Sequence, residues 1–350
     1  MPVPVIVERL TSQLLAGPPA GDAVSVVERL LAVQGQDPRG HRLAIRARSR
    51  CLTAADVDSA LTDDRSLVVT TLNRGTLHLV RSEDYPWLQA LTAPRMLTVG
   101  ARRLAQEGVS GSAVERGMSV IEGSLAEEGT LTRGQLRERL ATAAVSTEGQ
   151  ALVHLIMLAS LRGLVVRGPM IGREQAFVLV SDWLGAPGPV DRERALKELA
   201  RRYLIGHAPA GDRDLARWSG LTLGEVRSGL GAIASELDTR ADGLLALRGH
   251  APAAELPPPR LLGPFDPVLH GWVSRDELLG ASRVVVTVNG LFRPFALVRG
   301  RAVATWRMPA GEVILEPFKP LSRSVAGALR ADARDVVRYL GSTSATVKPS

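Results

Sequence analysis

The sequence predicts an α+β protein built from repeated helix-and-ribbon units followed by a strand-rich C-terminal part. Three observations predict it. A ten-residue phrase of Leu, Thr, three variable residues, an aliphatic, three more and Leu recurs as LTAADVDSAL (Leu52 to Leu61), LTRGQLRERL (Leu131 to Leu140) and LTLGEVRSGL (Leu221 to Leu230). Each copy follows a longer amphipathic stretch and precedes extended sequence. Beyond the third copy the chain alternates strand-like runs with hairpin turns.

The phrase reads as the start of a short helix. Thr53, Thr132 and Thr222 are N-cap candidates, and Asp56, Gln135 and Glu225 stand three residues on to close a capping box, with Asp56 short for the reach back. The aliphatic and the final Leu lie four residues apart on one face. So brief a helix cannot bury its apolar stripe alone, so each copy implies a small repeated domain.

The preceding helices are expected in AVSVVERLLAVQ (Ala23 to Gln34), in the run from Ser112 to Gly129, and in RERALKELARRYLIGH (Arg192 to His207). The following ribbons are expected in SLVVTTLNRGTLHLV around Asn73-Arg74-Gly75, in LVVRGPMIGREQAFVLV, and more weakly in ELDTRADGLLALRG around Asp242-Gly243. The second copy adds a further helix in EGQALVHLIMLASLRG (Glu148 to Gly163). Helix, capped helix, further helix and two-stranded ribbon is the order of a winged helix, a fold that can set one helix into the DNA major groove. Winged helices also serve as protein-interaction modules, so the order alone does not choose between these uses.

Pro- and Gly-rich tracts at 185–189 and 251–259 read as linkers. Past the second, Asn289-Gly290 and Arg299-Gly300-Arg301 signal hairpins between strand-like runs, which predicts a small β-barrel or curled sheet closed by a helix from Ser322 to Leu340. The expected segments are 1–100, 101–187 and 188–256 as three tandem winged helices and 257–350 as the C-terminal element.

Composition sets bounds. At 350 residues with 45% hydrophobic content the chain can bury a sizeable core. The formal charge of +7 is almost all arginine, since Lys197, Lys319 and Lys348 are the only lysines. A basic surface attracts polyanions, although arginine excess also follows from a GC-rich genome. Cys51 is the single cysteine, which excludes an intramolecular disulfide and a cysteine-rich zinc site. No apolar run approaches the roughly 20 residues of a membrane helix, and no signal-peptide pattern opens the chain. The expectation is a cytoplasmic, nucleoid-associated protein with no membrane association and no obligate protein partner.

The strings LLAVQGQDPRGHRLAIRARSR (Leu30 to Arg50), LNRGTLHLV (Leu72 to Val80) and LLGPFDPVLHGWVSRDELLG with NGLFRPFALVRGRAVATWR carry a resemblance to the AlkZ-type winged-helix DNA glycosylases. It covers most of the chain. It implies tandem winged helices and a β-barrel element in a C shape around a DNA channel. It also implies cleavage of the N-glycosidic bond of bulky or crosslinked alkylpurines, chiefly N7-alkylguanine, in double-stranded DNA, in repair or in self-resistance to a toxin. The family's catalytic Gln, apolar residue, Gln motif maps onto Gln34 and Gln36, with Gly35 departing from the apolar middle residue and loosening the backbone there. Read without the resemblance, Gln34-Gly35-Gln36-Asp37-Pro38 is an ordinary helix end followed by a turn. Asp37 is the runner-up as a catalytic or orienting carboxylate.

Other candidates follow. Arg74, Thr76 and His78 alternate on the first ribbon and so share a face that can meet DNA or stay solvated. Arg133 and Arg137, with Arg139, can track phosphates from the second repeated helix or form an ordinary charged outer face. Asp266 and His270 can approach one another on a helical turn, but no third metal ligand is evident, so no metal is expected. A lyase-type glycosylase requires an amine for a Schiff base, and none of the three lysines stands beside a candidate site. The resulting expectation is a monofunctional enzyme that uses water and no cofactor; no Gly-rich phosphate loop of the P-loop type appears either. The alternatives are a non-enzymatic winged-helix transcription regulator and an inactive damage-binding family member.

Overall fold

The computed structural model describes residues 4–109, 111–172, 174–252, 255–280, 284–287, 289–341 and 347–349. Their contacts divide the chain into two compact units, one formed by 1–58 and 196–350 and the other by 59–195. The first segment expected from sequence, 1–100, therefore contributes to both.

The unit of 59–195 shows how the repeated phrase is used. Gly111–Glu128, Arg133–Thr142 and Ala151–Leu161 are helices, followed by antiparallel strands Val165–Ile171 and Glu174–Leu179. That is the element order expected from the second copy. Thr132 accepts from the Gln135 amide at 3.3 Å while Gln135 Oε1 accepts from the Thr132 amide at 2.8 Å, so both halves of the capping box form. Leu136 and Leu140 are fully buried, packing with Ile121, Leu125, Leu155 and Phe177. The first ribbon, Leu67–Leu72 paired with Thr76–Arg81, joins the second through Val69 opposite Arg167, so the two hairpins share one sheet. A 22-residue helix, Tyr85–Gln106, lies between them in sequence and was not expected. Pro94 within it and Pro86 at its start obscure the helical pattern, although Pro at a first turn suits a helix.

In the other unit the helix of the first repeat covers only Ala23–Leu30. Asp22 caps its start by accepting from the Ser25 amide at 2.7 Å. It stops at Leu31, which takes a left-handed φ of 64°. Thr53 donates from N and Oγ1 to Asp56 Oδ2 at 2.6 and 2.7 Å, so the aspartate does make the reach back. The third copy gives helices Arg192–His207, Asp212–Ser219 and Leu223–Gly231, the last with a complete Thr222/Glu225 capping box. Its ribbon is short, Leu237–Thr239 with Leu245–Leu247.

The C-terminal part is a five-stranded sheet. Arg260–Leu262, Phe295–Val298, Arg301–Arg307 and Val313–Pro317 pair antiparallel in sequence order, and Val347–Pro349 adds in parallel. The hairpin expected at Asn289-Gly290 forms, with the Gly290 amide donating to Thr287 O at 3.0 Å. Helix Arg323–Tyr339 begins at the expected Ser322 cap and buries Leu329, Ala333, Val336 and Val337 against Leu261, Ala304 and Trp306. Burial of apolar surface contributes roughly 25 cal/mol per Å², so this continuous stripe holds the helix to the sheet.

Candidate active site

The glutamine pair does not end a helix. Leu31 stops the preceding helix, and Val33–Gln34 are extended. Gln34 is 6% exposed, whereas Gln36 is exposed. Gln34 Nε2 donates to Gln36 Oε1 at 2.9 Å. This bond fixes which end of each amide is free. Gln34 keeps its carbonyl oxygen as an acceptor, and Gln36 keeps its NH₂ as a donor.

Asp37 begins the next helix, Pro38–Arg46. Its Oδ1 accepts from the Gly40 amide at 2.7 Å, with Pro38 in the first helical position. The side chain is thus an N-cap, which accounts for its place before a proline without any chemical role. The helix is seated closely: a Cβ at Gly40 would stand 2.5 Å from Pro264 O, and one at Gly263 would stand 2.9 Å from Leu43 Cβ. The position of Gln36 is therefore tied to a helix that has little room to slide.

Arginines lock the same helix and the turn after it. Arg42 pairs with Asp58 and donates to Pro38 O at 2.6 Å. Arg46 donates to both oxygens of Asp332 at 3.1 and 2.9 Å and to Asp335 at 2.9 Å. Arg48 pairs with Asp266. His41 is fully buried beside Arg42, and burial followed by that neighbouring charge lowers its pKa to about 3. The arginine-rich net charge of the sequence points to a basic surface. Arg42, Arg46 and Arg48 are interior fasteners instead, and the acids they meet lie as far as 289 residues away.

Asp266 and His270 are also accounted for internally. Asp266 is wholly buried, accepts two bonds from Arg48 and caps the turn at Pro267–Leu269 through the Val268 amide at 3.0 Å. His270 packs on Phe292 with ring centroids 4.2 Å apart. Among the described residues no group of three His, Cys, Asp or Glu could hold a metal ion.

In the other unit, Thr76 and His78 lie on the strand Thr76–Arg81, while Arg74 sits in the preceding turn and so is not set on their face by strand alternation. His78 is not a solvated strand residue. It is 4% exposed, its Nδ1 lies 2.9 Å from Thr76 O, and burial lowers its pKa to about 4. It is neutral at pH 7 and cannot meet a phosphate as a cation. Asn73, read from sequence only as a turn residue, takes φ 52° and is 2% exposed. Its amide nitrogen and oxygen and Thr76 Oγ1 are buried with no hydrogen-bond partner among the described residues. Only burial exposes this feature, since Asn in an Asn-Arg-Gly turn is otherwise explained by its tolerance of positive φ. Arg133 and Arg137 are exposed on Arg133–Thr142; Arg133 lies 4.0 Å from Glu174, whereas Arg137 meets no carboxylate among the described residues. Arg139 is taken by Glu128 at 2.7 Å.

The chain thus carries an oriented pair of neutral amides beside a tightly seated helix, in a fold of helix–hairpin units. Residues 27–339 match the family model "DNA glycosylase AlkZ-like", and the chain belongs to this family of DNA glycosylases. It is 28% identical over 361 residues to the interstrand DNA cross-link repair glycosylase of Streptomyces sahachiroi, covering 95% of each chain. Its structure is similar to that of the Streptomyces sahachiroi DNA glycosylase AlkZ, with a TM-score of 0.80, 25% identity, and coverage of 99% of this chain and 98% of the other. No helix of the described residues is long and apolar enough to cross a membrane.

Proposed function

We propose that this protein is a monofunctional DNA N-glycosylase that removes bulky or crosslinked N7-alkylguanine-type bases from double-stranded DNA, in base-excision repair or toxin self-resistance. The observation that carries this reading is the hydrogen bond from Gln34 to Gln36 within a chain of this family. The similarity to a protein named for interstrand cross-link repair supports the substrate class.

The chemistry suits two neutral amides. N7 alkylation leaves the base cationic, so it departs without help from an acid. Charge develops on the sugar as an oxocarbenium-like cation. A glutamine carbonyl can accept a hydrogen bond from the attacking water and direct its dipole at that cation. Gln34 Oε1 is the acceptor left over by the inter-amide bond, and the Gln36 NH₂ is a donor for the water oxygen or the substrate. Strong basicity is unnecessary because proton loss can follow C–N cleavage. Positioning of this kind lowers a barrier by several kcal/mol, enough for an activated leaving group and too little for an undamaged base. Asp37 orients the site as the helix cap. Water is the nucleophile, with no lysine among the residues assigned to the site.

In this reading the three helix–hairpin repeats (1–100, 101–187 and 188–256) are winged helices that, with 257–350, engage the DNA. Arg74, Arg133 and Arg137 meet phosphates, and Thr76 with neutral His78 offers uncharged contacts. The protein acts in the cytoplasm on the nucleoid.

The test is release of N7-methylguanine and of a bulkier N7 adduct from alkylated duplex. Gln34→Ala and Gln36→Ala are each expected to slow release by about 10²-fold or more, with duplex affinity changed less than about threefold. A wild-type protein that binds the duplex tightly yet frees no modified base would give the regulator reading the advantage.

A further inference from the structure

We propose that the cavity bounded by Arg46, Arg50, Arg260, Arg338 and Tyr339 binds a phosphate group. The cavity lies past the far end of the helix that follows the glutamine pair, uses none of the site residues above, and does not depend on the proposed activity. Its volume is about 240 Å³, below the ~300–1,000 Å³ common for drug-sized ligands and suited to one phosphate or phosphate ester.

The charge balance favours an anion. Arg46, Arg260 and Arg338 share the carboxylates of Asp332 and Asp335. The fourth guanidinium, Arg50, is exposed and meets no carboxylate among the described residues. With Arg42, Asp56 and Asp58, which also act on Tyr339, five cationic groups stand against four anionic ones.

The hydrogen-bond balance points the same way. Arg46 is 3% exposed and Tyr339 1% exposed, and both line the cavity. Arg46 Nε, Arg260 Nε and the Tyr339 hydroxyl are buried and have no partner among the described residues. Buried donors of this kind are ordinarily paired. The two aspartates cannot serve them. Asp332 already accepts from Arg46, Arg260 and the Leu261 amide, and Asp335 accepts from Arg46 and Arg338. A tetrahedral oxyanion presents acceptor oxygens in several directions at once, whereas a planar carboxylate presents two, and guanidinium groups pair well with phosphate. The phosphate can be free, as inorganic phosphate or a monoester, or it can be a diester of a DNA strand.

Cys51 supplies the probe. It lines the cavity, is exposed, and is the chain's single cysteine. The full-length protein is treated with neutral iodoacetamide, and carbamidomethylation of Cys51 is followed by mass spectrometry. Inorganic phosphate at ~10 mM is expected to slow the reaction about tenfold relative to chloride of equal ionic strength, as for a millimolar site at ten times its Kd. Arg50→Gln is expected to reduce that protection severalfold. Tyr339→Phe, which removes only the hydroxyl, is expected to weaken phosphate binding by about tenfold, while the phosphate-free protein melts no lower than wild type. Protection by unmodified duplex alone, lost in Arg50→Gln, would assign the phosphate to the DNA backbone. The proposal is overturned if neither inorganic phosphate nor duplex protects beyond chloride, or if both variants are protected as fully as wild type.

Discussion

Arg48 and Asp266 form a two-bonded ion pair, at 2.9 and 2.7 Å, in which neither side chain is accessible to solvent. Arg48 also donates to Gln13 O at 2.8 Å and to Ala44 O at 2.9 Å, so its donors are spent on fixed acceptors. One pair thereby ties three chain segments around the turn that follows helix Pro38–Arg46. A buried pair of this sort need not be better than a well-packed apolar pair, but breaking it leaves an uncompensated charge.

Asp266→Asn is therefore expected to destabilise the protein by about 3–5 kcal/mol. Urea denaturation followed by tryptophan fluorescence checks the value. The double change Arg48→Met with Asp266→Leu should recover more than half of the loss. A single-variant cost below about 1 kcal/mol would show that the pair does not carry the region.

Three buried histidines make stability depend on pH. Burial lowers His41 and His207 to about 3 and His78 to about 4. In the unfolded chain each titrates near 6.5. Between these values the unfolded state holds more protons than the folded state, so stability rises with pH through the window. It is fully present above about pH 6.5 and falls as pH drops toward 4, by up to about 1.4 kcal/mol per pH unit for each histidine. Melting curves from pH 4 to 8 test this. His207→Phe keeps a ring stacked on Tyr203, now 4.5 Å from it, and should flatten the slope. An unchanged slope in that variant would show that His207 is not among the groups responsible.

Gly40 has a positional consequence for the candidate site. Its added Cβ would lie 2.5 Å from a backbone oxygen, Pro264 O, which cannot turn aside as a flexible side chain could. Gly40→Ala must displace the helix that Asp37 caps. We expect a loss of about 1–3 kcal/mol together with a fall in base release greater than the fall in duplex binding. Wild-type activity in Gly40→Ala would mean that the Gln36 position tolerates movement of that helix.

The repeated caps permit a paired comparison. Thr132→Ala and Thr222→Ala each remove a side-chain acceptor for an N-terminal amide and should cost about 1 kcal/mol, with the usual spread of 0.5–2. Chemical denaturation of each variant checks this. The sites differ in surroundings and share only the cap, so similar losses would identify the cap as the common cause.

Local chemistry was sufficient to read much of this chain. The Thr132 and Thr222 caps, the start of Arg323–Tyr339 at Ser322, the full extent of Arg192–His207 and the Asn-Gly hairpin depend on contacts within about four residues, and such signals survive without tertiary context. Choosing Gln34 and Gln36 needed the family resemblance, because an amide pair near a helix has an ordinary explanation. What only tertiary structure decided was long-range. Leu31 takes a left-handed turn that releases Gln34 into extended backbone, although nothing in its type asks for one. Two hairpins about 100 residues apart share a sheet through Val69 and Arg167. Arg42, Arg46 and Arg48 look like surface charge in sequence and become internal fasteners, because a buried guanidinium requires acceptors that sequence-distant segments supply. Sequence determines which groups a segment can satisfy by itself; folding decides which distant groups satisfy the rest.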